Sequence, residues 1–179
     1  MVNTPETSEL SRPIRIKGLP GEPVIIEADA GERAALADRF GLPGIDRLQA
    51  EVSLDQRGAA IRATGSLVAA IRQACAVSGE EFPARFEEDI DLRFVPEGTL
   101  DAEETEEVEI ELEADDCDEI EYSGDAFDLG EAVAQTLGLA IDPFAEGPDA
   151  DKARKQAGIL GEGETEGPLA AGLAALKKG

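Results

Sequence analysis

The sequence predicts an α+β fold: a mainly antiparallel, hairpin-connected sheet, open or barrel-like, with helices at its edges, all within residues 12–144. Three observations carry this. Between residues 48 and 94 apolar and polar side chains alternate with the period of two that a half-buried strand requires. Short turn signals, too brief for parallel crossovers, separate the alternating runs. Two capping signals each precede apolar residues at helical spacing.

Taken in order, residues 1–11 are polar and read as a disordered tail. Ile14 and Ile16 alternate with Arg15 and Lys17 as a short strand that stops at Gly18, and Pro23–Ala28 reads as a second. Asp29 lies three residues before Glu32, the spacing of a capping box, and opens a helix over 30–40 that Gly41 closes. Leu48, Ala50, Val52 and Leu54 alternate up to a turn at Asp55–Gly58, and alternation resumes from Ala59 to Ile71. Gly65 inside that run suggests a bulge or bend. Phe82-Pro83 reads as a turn, after which Phe86, Glu88, Ile90, Leu92 and Phe94 share one strand face. Val108, Ile110 and Leu112 alternate with glutamates, which places a strand inside an acidic run. Asp128 with Glu131 makes a second capping box for a helix over 129–140, its stripe formed by Leu129, Val133 and Leu137. Residues 145–179 read as a Gly-containing flexible linker and a short C-terminal helix led by Pro168, with Leu169, Leu173 and Leu176 on one side.

Charge narrows the functional classes. The chain has 179 residues and a formal charge of −24. Residues 94–151 hold 21 carboxylates and not one lysine or arginine. Residues 1–93 carry 11 basic and 16 acidic residues, so the negative field comes from one third of the chain. Such a field repels phosphate backbones and attracts cationic surfaces. The absence of histidine excludes Ser-His-Asp and Cys-His centres and removes the commonest general base near neutral pH. Residues 1–11 lack the apolar and basic regions of a signal peptide, and no apolar run approaches the roughly 18 residues of a membrane span, so the expected location is the cytoplasm.

The leading candidate for binding is the acidic segment within 97–121: Glu107, Glu109, Glu111 and Glu113 on one strand face, followed by Asp115, Asp116, Asp118 and Glu119. As a solvated face it would blunt edge pairing. As a dock for a Lys/Arg-rich protein, its internal repulsion would be relieved on binding, and this favours docking. Asp115–Glu119 lacks the alternating ligands and glycine of a calcium loop, and Gly161–Glu164 sets negative charge where a phosphate would sit. No motif selects a cofactor, a metal or a catalytic pair, so the expectation is a protein that is not an enzyme. Arg57, Arg62, Arg72 and Arg85 could touch RNA phosphates, but ion pairing with nearby carboxylates is the better reading of them. Of the two cysteines, Cys75 and Cys117, the first reads as a buried aliphatic-like residue.

Three blocks resemble the YceD family, the large-subunit ribosomal RNA accumulation proteins of bacteria and plastids. Cys75-Ala76-Val77-Ser78-Gly79-Glu80-Glu81-Phe82 looks like the family's strand-end Cys-x-x-Cys-x-x-Pro-Phe, with Ser78 in place of the second cysteine and Glu81 in place of proline. Phe127-Asp128-Leu129 with the helix running to Ile141-Asp142-Pro143 is similar to its second block, and Gly167-Pro168-Leu169 through Leu173 and Leu176 to Lys178 is similar to its closing one. The resemblance implies a role in the synthesis, processing or stability of 23S rRNA, no known catalytic site, and a link to a small basic large-subunit ribosomal protein. Joined to the charge pattern, it leads to the expectation that the acidic segment binds that protein and that rRNA is affected indirectly. Direct rRNA binding through the arginines of 57–93 is the alternative.

Overall fold

The alternation between residues 48 and 71 becomes a long antiparallel hairpin, β3 (Gly44–Arg57) and β4 (Ala60–Ala74), in register from Leu48↔Ala69 to Arg57↔Ala60. This computed structural model describes residues 8–99 and 118–158. The chain divides into two compact units, residues 1–72 with 83–142, and residues 73–82 with 143–179.

In the larger unit the hairpin is flanked by β2 (Val24–Glu27), antiparallel to β3, and by β5 (Glu81–Pro96) beside β4. A fifth strand, β6 (Asp118–Tyr122), joins β5 in parallel, from Leu92↔Asp118 to Pro96↔Tyr122. The order β2-β3-β4-β5-β6 leaves β2 and β6 as edges, so among the described residues the sheet is open and not a barrel. A separate ribbon pairs β1 (Pro13–Arg15) with β7 (Ala126–Asp128), where Ile14 faces Phe127 across the ladder. The hairpin expectation thus holds for the centre of the sheet. It fails at β1, whose partner β7 lies far away in sequence, and at β6, which runs parallel to β5.

Helix α1 (Ala30–Phe40) starts as its capping box requires. Asp29 accepts from the Glu32 amide at 2.9 Å, and the Asp29 amide donates to the Glu32 carboxylate at 2.8 Å. Leu36 and Ala37 then turn inward, and the helix packs on β3. Helix α2 (Leu129–Ala140) buries Leu129, Val133 and Leu137 completely. These side chains meet Leu48, Val52, Ile61, Leu67, Ile71 and Phe94 in one core, each full aliphatic burial contributing about 1.5–3 kcal/mol. Only half of the second capping box forms. Asp128 accepts from the Gly130 and Glu131 amides, while the Glu131 carboxylate is drawn to Arg39, Ser8 and Gln135.

Three sequence expectations change. Gly65 is not a bulge: it pairs with Val52 in unbroken register, and a Cβ there would lie 1.9 Å from the Glu51 carbonyl oxygen, so glycine permits a close strand approach. The irregularity falls instead at Asp46, skipped between Ile45 and Arg47. Phe82-Pro83 is not a turn but lies inside β5, and β6 reaches β5 only from Leu92 onward, so the proline's missing N–H breaks no ladder on that side. Of the expected tail, residues 8–11 are built into the fold. Leu10 is fully buried, the Ser8 hydroxyl donates to Glu131 and the Ser11 hydroxyl to Asp128, both at 2.6 Å. A single leucine among polar residues has no periodicity to announce this.

In the smaller unit the β4–β5 connection turns through Gly79, and the Cys75 amide donates to the Glu80 carbonyl at 2.8 Å. The Ala76 amide donates to the Ala145 carbonyl at 3.0 Å. Part of the expected linker is a helix, α3 (Ala150–Gln156), where Arg154 pairs with Glu146 and with Asp151. The expected C-terminal helix with Leu169, Leu173 and Leu176 lies outside the described residues, as does the acidic strand at 108–112.

Candidate functional site

The acidic candidates divide at β6. Glu107, Glu109, Glu111, Glu113, Asp115 and Asp116 lie outside the described residues. Asp118 and Glu119 are the first residues of β6. Asp118 is exposed, with no ionic partner among the described residues, while Glu119 accepts from Arg93 at 2.5 Å. Glu119 therefore already carries a counter-charge, and Asp118 is the one of the two without an ionic partner among the described residues.

The inward face of β5 reads Phe86, Glu88, Ile90, Leu92, Phe94, so one carboxylate interrupts an apolar row. Where β5 meets β6 and α2, the packing leaves a groove of about 480 Å³ in the larger unit. Ile90, Leu92, Ile120 and Ala132 make its floor, and Leu139, 82% exposed, stands at its lip. Glu88, Asp89 and Asp118 line it and have no hydrogen-bond or ionic partner among the described residues. Asp91 also lines it, but its carboxylate takes both arms of the Arg62 guanidinium at 2.8–2.9 Å, which holds its pKa below the usual range. The sequence signal for this groove was Glu88 in phase with Phe86 and Ile90.

Most of the arginines that could have met RNA are engaged. Arg57 pairs with Asp55 at 3.0 Å, Arg62 with Asp91 at 2.8 Å, and Arg72 with Asp46 at 3.5 Å. This is the ion pairing expected from the sequence. Arg85 is exposed, with no partner among the described residues. A phosphate would have to compete with a carboxylate at three of these four positions.

The family-motif residues fall in both units. Cys75 is 4% exposed, near the end of β4. Its thiol is held at about 7, below an ordinary 9.0, first by the Ser78 hydroxyl and then by the Ser78 and Gly147 backbone, all within the smaller unit. The Ser78 amide reaches the sulfur at 3.4 Å. A Cβ on Gly147 would come within 2.9 Å of the Phe82 ring, so Phe82 packs directly on that backbone. Asp128 is the N-cap of α2, Leu129 is fully buried, and Pro143 is exposed. Leu173 and Leu176 lie outside the described residues, as does Cys117. Among the described residues no group of three or more cysteines and carboxylates is placed to hold a metal ion, and no helix is long and apolar enough to cross a membrane.

Comparison with protein families matches residues 63–178 to the family described as large ribosomal RNA subunit accumulation protein YceD. The chain belongs to the YceD family. The match runs from β4 to the C-terminal leucines and so takes in the acidic run, the groove and Cys75. Membership places the protein in ribosome biogenesis, in the accumulation of large-subunit rRNA. No match was found among curated proteins or solved structures.

Proposed function

We propose that this YceD protein serves large-subunit biogenesis without catalysis, by holding a basic large-subunit ribosomal protein on its acidic segment as chaperone or loader in the cytoplasm. rRNA is then affected through the delivered protein. The carrying observation is the run of 21 carboxylates without a cation over residues 94–151, whose field selects a cationic partner. The engagement of Arg57, Arg62 and Arg72 by carboxylates supports the same reading, because a phosphate would have to displace a carboxylate from each of them.

Pull-down with the purified full-length chain from cell lysate, washed at low and then high salt, tests this. Recovery of a basic large-subunit ribosomal protein that high salt releases is the expected result. Recovery of no such protein, or binding indifferent to salt, overturns it. The second reading, direct rRNA binding, has in its favour Arg85, which is without a partner among the described residues. Gel shifts with precursor large-subunit rRNA separate the two: retention lost on Arg62→Ala with Arg72→Ala, but kept when the carboxylates of 101–121 are neutralised, would favour RNA.

A further inference from the structure

We infer that the groove between β5, β6 and α2 seats an apolar side chain of the partner, flanked by lysines or arginines that meet its acidic rim; this rests on the proposed function. Charge alone gives long-range attraction without register, since it acts over a Debye length of about 8 Å at physiological salt. A loader must also hold its cargo in one orientation, and an apolar pocket ringed by charges does that.

The groove has the parts. The side chains of Ile90, Leu92, Ile120 and Ala132 carry no donor for a polar guest, and Gln135 and Thr136 line the groove beside them. Leu139 projects from the C-terminal turn of α2, 82% exposed, where nothing in the packing of the core requires a leucine. Glu88 sits on the face that its neighbours bury, yet has no cation beside it among the described residues. Glu88 is half-buried there, and the exposed Asp89 and Asp118 set two more carboxylates around the same opening. The volume of about 480 Å³ fits one large apolar side chain with its backbone. Three anions without a cation among the described residues, around an apolar floor, specify a cationic segment with an apolar anchor, and they disfavour nucleic acid by charge.

The test titrates the full-length chain with a labelled nonapeptide of alternating lysine and alanine carrying one central phenylalanine, and with its all-alanine counterpart at that position. Binding is read by fluorescence anisotropy at low and at physiological ionic strength. The phenylalanine peptide is expected to bind about tenfold more tightly, and the ratio to survive added salt. Leu139→Ala, at a position too exposed to unfold the chain, should erase most of that ratio, and Thr136→Trp, which fills the groove, should do the same with an unchanged circular dichroism spectrum. Glu88→Gln should weaken both peptides at low salt and leave their ratio intact. Equal affinity for the two peptides, or a preference that Leu139→Ala and Thr136→Trp leave untouched, overturns the groove as anchor site while the proposed function stands. Failure of both peptides to bind at low salt sinks the two together. A gain in affinity from Leu173→Asp with Leu176→Asp would assign the groove to the chain's own C-terminal segment and overturn the inference as well.

Discussion

Glu131 sets much of the local order at the start of α2. Arg39 donates to it through both guanidinium arms at 2.8 and 3.0 Å, with Ser8 and Gln135 on the same carboxylate. Arg39 first, then Ser8 and Gln135, pull its pKa to about 2 from an ordinary 4.5, against the opposing effect of burial. A folded-state pKa below the unfolded one gives stability that is present above the unfolded value and lost as pH falls through the folded one. The contribution of Glu131 is therefore complete near neutrality and fades from about pH 5 to about pH 2, and Glu131→Gln should cost about 1–2 kcal/mol at pH 7 and almost nothing at pH 2. Urea midpoints of the two proteins across that range check this. None of it was legible beforehand. The capping-box spacing pointed Glu131 at its own helix, and the arginine that captures it lies 92 residues away. Cys75 gives a second residue-scale expectation. In a Cys117→Ser background, its alkylation by iodoacetamide should rise with a midpoint near pH 7, slowly because the sulfur is buried, and Ser78→Ala should move the midpoint upward.

The elements differ in how openly their residues declare them. The β3–β4 hairpin and both long helices are plain in the sequence, because period and caps are local properties. The partners of β1 and β6 are not, because parallel and long-range pairing leave no mark in the strands themselves. Two side chains test what holds these elements. Gly65→Ala sets a methyl against the Glu51 carbonyl, and the hairpin must open to admit it, so a loss of about 2–3 kcal/mol should appear as a lower urea midpoint. Asp128 caps α2 and also accepts from the Arg12 amide and the Ser11 hydroxyl. Asp128→Ala should exceed the usual cap loss of about 1–2 kcal/mol, since those donors lose their acceptor too. The candidate groove was half legible: Glu88 stood out of phase in polarity, but the strand and helix that enclose it could not be named from spacing.

At the scale of the molecule the distribution of charge and the pairing of strands have separate consequences. A net charge of −24, with Arg57, Arg62 and Arg72 held by carboxylates, opposes retention of RNA. Precursor large-subunit rRNA should show no shift at physiological salt, and Arg62→Ala should change that result less than it changes stability. Strand order bears on how the protein comes to exist. Ile14 finds its ladder partner only in Phe127, and the ribbon they form lies beside the start of α2. At bacterial-type synthesis rates of about 5–20 residues per second, the first strand waits on the order of ten seconds for its mate to leave the exit tunnel. During that interval Leu10 and Ile14 lack the late-made partners that cover them in the finished fold, so the start of the chain is the last part of the larger unit to be closed.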